Sequence, residues 1–148
     1  MTASDEKIVA QAIQILSNNL RLCGDVIKSP TITKRFLTLR LARQEREIFG
    51  VLFLNAKNQL AGAEDIFFGT LTQTAVYPRE VVKKALIHNA ASVICYHNHP
   101  SGNPEPSEAD KRLTIALQNA LLLLDIRLLD HIIVAGIDTY SFAEHGEL

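Results

Sequence analysis

The chain reads as an α/β (α+β) domain in which helices cover a sheet. Two observations carry this. Strand-like and helix-like segments alternate along the chain, with no repeat, low-complexity tract or linker between them. The 148 residues are 47% hydrophobic and 21% charged, an ordinary composition for one folded domain with a real core.

The elements follow in order. From Asp5 to about Leu20, apolar Ile8, Ala12, Ile15 and Leu16 have the spacing of an amphipathic helix. Leu22 to Pro30 is a connection, broken by Gly24 and by Ser29-Pro30. A second helix runs from Thr31 or Thr33 to Arg43. Arg46 to Asn55 is rich in Ile, Phe, Val and Leu and reads as a buried strand. Ala56-Lys57-Asn58 is a turn, and Gln59 to Phe68 is the partner strand of a hairpin. Tyr77-Pro78-Arg79-Glu80 opens a helix with proline in its first turn, ending near Asn89. Ala91 to Tyr96 is a short buried strand that delivers His97 and His99 at its end. Pro100–Pro106 holds three of the chain's five prolines and a glycine, so it is a stiff loop. A helix follows from Ser107 to about Leu123. Asp125 to Gly136 and Thr139 to Phe142 form the last two strands.

Charge and composition exclude several classes. Net charge is −1, so no global basic excess points to nucleic acid. Lys28, Lys34, Arg35, Arg40, Arg43 and Arg46 form a locally basic stretch opposed only by Glu45. On a helix they spread around most of the circumference, as a solvated surface does. Met1 to Gln11 mixes Asp5, Glu6 and Lys7 with apolar residues and is no signal peptide. The longest apolar runs, Phe49–Leu54 and Ala120–Leu124, are too short to span a membrane. Cys23 and Cys95 make neither a disulfide framework nor a C-x-x-C pair. Reduced thiols in a cytoplasmic protein are the simplest expectation.

The run His97-Asn98-His99, seven residues, then Ser107-Glu108-Ala109-Asp110 carries the chemistry. Two imidazoles two residues apart can point the same way from a strand end. A carboxylate one turn inside the next helix can reach back to them. Such a set offers three ligands of the kind zinc takes and leaves a fourth position open for water. Each half also has an ordinary explanation. Ser107 with Asp110 is a variant of the helix capping box, and His97 and His99 are compatible with plain loop histidines. Capping and chemistry are compatible, since a capping hydroxyl can still face a substrate.

A hydrolytic site also needs a base. Glu47 shares the strand face of Phe49, Val51 and Phe53. It is either an exposed strand end or a carboxylate held inside for a purpose. Rival motifs fail: H-x-E with P-C-x-x-C and H-E-x-x-H are both absent, and an HNH nuclease spreads its residues over a longer unit. Cys95 shares a face with His97, and an inert buried thiol is the simpler reading. His88, His131 and His145 suggest no partners and read as structural or solvent-facing.

The chain resembles the RadC-like branch of the JAB/MPN domains, whose active members carry the JAMM zinc metallopeptidase motif. The resemblance runs from about Arg35 to the C-terminus. It rests on Glu47-Ile48-Phe49, Gly69-Thr70-Leu71, Tyr77-Pro78-Arg79-Glu80, His97–Asp110, Asp130-His131-Ile132-Ile133-Val134 and Ser141-Phe142-Ala143-Glu144-His145-Gly146. It implies a mixed β-sheet flanked by helices, of cytidine-deaminase-like architecture. It divides the chain into an N-terminal helical segment, 1–34, and a JAB/MPN domain, 35–148. It implies that His97, His99 and Asp110 bind Zn2+, that Glu47 is the general base, and that Ser107 stabilises the oxyanion. The substrate class implied is a peptide or protein, cut at an amide or isopeptide bond. The alternative within the family is a DNA-repair-associated or protein-binding module without peptidase activity. Longer members carry a helix-hairpin-helix region before the matching part, and none is read here. The expectation is therefore a short stand-alone form with weak or absent DNA binding and no membrane association.

Overall fold

The computed structural model describes residues 1–22, 26, 30–41, 43–69 and 75–148. The helices are α1 (Ala3–Leu22), α2 (Pro30–Leu41), α3 (Pro78–Ile87) and α4 (Glu108–Leu122). The strands are β1 (Ile48–Leu54), β2 (Leu60–Phe68), β3 (Ser92–Asn98), β4 (Arg127–Ala135) and β5 (Asp138–Ser141). They form one mixed sheet in the order β2-β1-β3-β4-β5. β3 and β4 are parallel, and the other neighbours are antiparallel. Helices cover both faces, so the expected architecture of a mixed sheet flanked by helices is the one observed. Cys23, Gly24, Lys28, Ser29, Thr70 and Leu71 lie outside the described residues.

β1 explains the layering. Every residue from Ile48 to Leu54 is buried, because the strand is paired on both edges and packed on both faces. Ile48, Leu52 and Leu54 join Leu20, Phe36, Leu37 and Leu41 under α1 and α2. Phe49, Val51 and Phe53 join Val81, Ala85, Leu117 and Leu121 under α3 and α4. The alternation that put Glu47 on the Phe49 face therefore puts it on the α3/α4 side.

Three expectations need adjustment. α1 starts at Ala3, not Asp5, because Thr2 caps it. The Asp5 N–H donates to Thr2 Oγ1 at 3.1 Å and the Thr2 N–H to Asp5 Oδ2 at 3.0 Å. Its inward stripe is Ile13, Leu16 and Leu20, whereas Ile8 and Ile15 are 60% and 68% exposed. α2 begins at Pro30 and ends at Leu41, two residues short of Arg43. β3 runs two residues past Tyr96, so His97 lies inside the strand and not beyond its end.

The basic stretch is dispersed among local partners. Lys34 meets Glu144 at 2.7 Å, Arg40 meets Asp65 at 3.3 Å and Arg43 meets Glu6 at 4.0 Å. The Arg46 guanidinium lies 4.5 Å over the Phe68 ring. No helix of the described residues is long and apolar enough to cross a membrane.

Gly50 is required by a close approach. Its neighbour across the ladder is Tyr96, whose ring lies over it. The Tyr96 hydroxyl donates to Asp65 Oδ1 at 2.6 Å, which fixes the ring. A Cβ at position 50 lies 2.3 Å from Tyr96 Cζ and 2.6 Å from the Glu64 carbonyl oxygen. Neither neighbour is the loose end of a flexible chain. Gly50→Ala is expected to destabilise the fold by about 1–3 kcal/mol, the usual range for overpacking. Urea unfolding reads this, and a wild-type midpoint contradicts it.

Candidate metal centre

The site forms where β3 ends beside parallel β4, with α4 as the crossover between them. Loops and helix starts at the carboxyl ends of parallel strands are where such sheets hold ligands. His97 is 2% exposed and opposite Phe49 in the ladder. His99 follows the strand, tied by its N–H to the Val134 carbonyl at 2.8 Å. Two residues apart, both rings face the α3/α4 side.

The Nε2 atoms of His97 and His99 lie 2.9 Å apart. Asp110 closes the triangle: Oδ2 is 3.2 Å from His99 Nε2 and Oδ1 is 3.5 Å from His97 Nε2. Tetrahedral zinc at about 2.0–2.1 Å from each ligand holds its ligand atoms roughly 3.3 Å apart. The three separations bracket that edge. Glu47 adds a second carboxylate, with an oxygen within 4.8 Å of both imidazole nitrogens. Glu47, His97 and His99 can therefore hold a metal ion, with Asp110 on the same nitrogens.

Each side chain is set by its own neighbours. The loop expected to be stiff turns at Gly102, φ +85, and brings the Asn103 carbonyl oxygen within 2.8 Å of His99 Nδ1. A carbonyl only accepts, so Nδ1 carries the proton and a neutral His99 presents its Nε2 lone pair. Asn98, between the histidines, holds the backbone on either side of Glu47. Its Oδ1 accepts from Ile48 N–H at 2.6 Å and its Nδ2 donates to the Arg46 carbonyl at 3.0 Å. The Glu47 carbonyl accepts from Gly69 N–H at 2.9 Å.

Ser107 caps α4. Its Oγ accepts from Asp110 N–H at 3.0 Å, and its own N–H donates to Asp110 Oδ2 at 2.9 Å. The capping box is thus present, and it brings Ser107 to Asp110 directly and to the histidines only through that carboxylate.

The electrostatics favour a cation. Burial opposes charge on Asp110, but hydrogen bonds to His97 and His99 and from the Ser107 backbone outweigh it and hold the carboxyl well below its usual range. Burial also opposes a proton on His99, but the Asp110 carboxylate, the Asn103 carbonyl and the Glu47 charge overcome it and raise its pKa. Two carboxylates beside two imidazoles attract one positive charge, whether proton or metal.

His131 corrects the expectation that it had no partner. It is fully buried, with Nε2 2.7 Å from His97 Nδ1 and Nδ1 2.6 Å from Thr114 Oγ1. Burial, with the neighbouring His97, drives its pKa well down, so it is neutral. A histidine inside the apolar run Leu128–Val134 was the available signal, since a buried polar group needs partners. His88 pairs with Glu64 at 2.6 Å, and His145 stacks on Tyr140 at 4.0 Å. Cys95 is a free, buried thiol whose pKa burial pushes up, as expected of an inert cysteine.

Comparison with known proteins places these residues in context. The family model described as RadC-like JAB domain matches residues 27–147. A UPF0758 protein of Janthinobacterium sp. (strain Marseille) is 56% identical over 133 residues, 90% of this chain and 59% of that protein. UPF0758 protein YeeS of Escherichia coli (strain K12) is 47% identical over 148 residues, the whole of both chains. UPF0758 protein YkfG of the same strain is 49% identical over 148 residues, all of this chain and 94% of that one. The chain thus spans about three fifths of the longer relatives and the full length of the shorter kind.

A divalent transition-metal ion such as cobalt(II) is expected to raise the unfolding temperature. At about 100-fold excess over its Kd it stabilises by roughly 2.7 kcal/mol. The effect weakens as pH falls, because a proton and the metal compete for the same lone pairs. His99 has a raised pKa, so the loss begins above the ordinary histidine value of about 6.5. Calorimetry across pH with and without the ion reads this. His97→Ala should abolish the metal-dependent shift, and a pH-independent shift contradicts the assignment.

Proposed function

The chain belongs to the family of RadC-like JAB domains, and on that premise we propose that it is a zinc-dependent hydrolase of the JAMM metallopeptidase type, cleaving an amide or isopeptide bond in a peptide or protein. The observation that supports this most is the convergence of His97, His99 and Asp110 on one point, with the Glu47 carboxylate beside it. His97, His99 and Asp110 hold the metal, since their atoms approach one another at tetrahedral-edge distances. Glu47, whose carboxylate lies within 4.8 Å of both imidazole nitrogens, is left as the group that acts on water.

Zinc, when bound, supplies Lewis acidity and lowers the pKa of a water from about 15.7 toward roughly 7. Glu47 takes the proton of the attacking water on its carboxylate and hands it to the leaving amine. Asn98 fixes the peptide units on both sides of Glu47, so the carboxylate is aimed before substrate arrives. Ser107 accepts from Asp110 N–H with its oxygen, which leaves its hydroxyl proton to donate to the developing oxyanion.

Glu47→Gln is expected to keep its zinc and lose hydrolysis, because an amide accepts no proton. The measurement is metal content beside turnover of a proteome-derived peptide library read by mass spectrometry. Zinc loss in this variant makes Glu47 a ligand, and full turnover removes it from the mechanism.

Ser107→Ala separates the cap from the oxyanion donor. Loss of the cap should lower stability by about 1 kcal/mol. Loss of the donor should cut kcat roughly 10²–10³-fold while zinc is retained. A destabilised variant with wild-type turnover reduces Ser107 to a cap.

Duplex DNA should bind weakly and without selectivity, with Kd on the order of 10⁻⁴–10⁻⁶ M at physiological salt. Lys34, Arg40 and Arg43 already face carboxylates, which supports this. Anisotropy titration of labelled duplexes checks it, and a sub-micromolar, structure-selective complex favours the DNA-associated reading.

A further inference from the structure

We propose that Thr114 and His131 are positioning residues that set which nitrogen of His97 carries its proton, and so whether His97 can take a metal. The proposal rests on the reading above for its metal arm and on hydrogen-bond polarity for the rest.

His97 Nε2 binds a metal only as a lone pair, so its proton must sit on Nδ1. Nδ1 faces another imidazole, His131 Nε2, at 2.7 Å, and an imidazole nitrogen can either donate or accept. The ambiguity passes to the next contact, His131 Nδ1 to Thr114 Oγ1 at 2.6 Å. A hydroxyl has one proton. Here it points to the Asp110 carbonyl oxygen, 2.8 Å away, which can only accept. In that orientation the hydroxyl oxygen accepts from His131 Nδ1–H. His131 Nε2 is left as an acceptor, so His97 donates from Nδ1. The Nε2 lone pair of His97 then faces that of His99.

The opposite polarity is also complete. Thr114 donates to His131 Nδ1, His131 Nε2–H donates to His97 Nδ1, and His97 Nε2–H donates to His99 Nε2 at 2.9 Å. In that arrangement a proton occupies the metal position. The two arrangements contain the same protons, and no group changes charge between them. They differ in the orientation of the Thr114 hydroxyl and in the 2.9 Å contact between the two Nε2 atoms, which holds two lone pairs in the first and a proton in the second. Thr114 is 1% exposed and His131 is 0% exposed, so water does not supply a substitute partner. The Asp110 carbonyl oxygen links the device to the residue whose carboxylate approaches both imidazoles. It is a longer version of the outer hydrogen bond that orients a metal-ligating histidine.

The test compares Thr114→Val with Thr114→Ser. Valine keeps the shape and removes the acceptor, so a proton on His131 Nδ1 would be orphaned in an apolar setting. It moves to Nε2, and His97 becomes protonated on Nε2. Zinc affinity, measured by competition with a chromophoric chelator, should fall roughly 10–100-fold in the valine variant. The serine variant should stay close to wild type. Histidine 15N–1H correlation spectra of the metal-free proteins, at about pH 9 and above the ordinary histidine range, should place the His97 proton on Nδ1 in wild type and Thr114→Ser and on Nε2 in Thr114→Val. Unfolding midpoints show that each variant is folded. An unchanged His97 tautomer in Thr114→Val overturns the proposal, and so does wild-type zinc affinity in that variant. If no variant, wild type included, binds zinc, the metallopeptidase reading fails, and the spectra still decide whether Thr114 sets the tautomer.

Discussion

The register of β3 against β1 is the constraint on which the rest depends. Phe49 faces His97 and Gly50 faces Tyr96 in that ladder. A slip of one residue turns every side chain of a strand to the other face. Here it would carry His97 into the apolar layer under α1 and α2 and bring Tyr96 or Asn98 to the candidate metal centre. The Gly50 notch prevents this, because the bulky Tyr96 fits over a residue without Cβ and its hydroxyl finds Asp65 on the neighbouring strand. A lock on one face of the sheet thus holds the chemistry on the other. β3 is buried along its whole length, so both faces penalise the slip.

The polar residues behind the site follow from burial. His97, Asn98, Thr114 and His131 are each at most 3% exposed. Polar groups removed from water destabilise a fold unless they are paired, and an unpaired one costs about 1–3 kcal/mol. Asn98 is paired with the backbone on both sides of Glu47, and His97, His131 and Thr114 form one small network. Its outer end is the mouth of the site, where His99 and Asp110 are half-buried. Its inner end is the first turn of α4, through the Asp110 carbonyl. The helix also turns its positive end toward the two carboxylates, which favours their charge. Apolar packing positions the sheet and the helix, and this network then orients the individual rings.

The fold class and most elements were legible because their signals are local. Apolar runs, proline at the start of α3 and the proline-rich loop before α4 identify strands, helix starts and a turn without tertiary information. The inward face of α1 was not legible. Only its C-terminal half packs, through Ile13, Leu16 and Leu20, and nothing in the spacing of Ile8 and Ile15 shows that those positions meet no partner. His97, His99 and Asp110 were legible as a group because they lie within fourteen residues on a strand, loop and helix start. Glu47 needed both alternation and the family resemblance. His131 and Asn98 were missed for a common reason. Their roles depend on which strands are neighbours and on register, and those are long-range pairings that a single sequence does not display.

The capping box at Ser107 and Asp110 also fixes where the carboxylate stands relative to the imidazole pair. A capping box needs a carboxylate that folds back on the residue before the helix. That requirement sets the Asp110 side chain: Oδ2 accepts from Ser107 N–H at 2.9 Å and stands 3.2 Å from His99 Nε2. The same rotamer leaves Oδ1 toward His97. A free aspartate on an exposed turn would have to lose rotamer freedom when a cation arrived. Here the helix start has already removed that freedom as part of folding, so less is lost on binding. Glutamate, the commoner partner of serine in a capping box, has one more methylene and would carry its carboxylate away from this point. Aspartate caps less commonly, but it is the acid whose reach matches both the Ser107 amide and the imidazole pair.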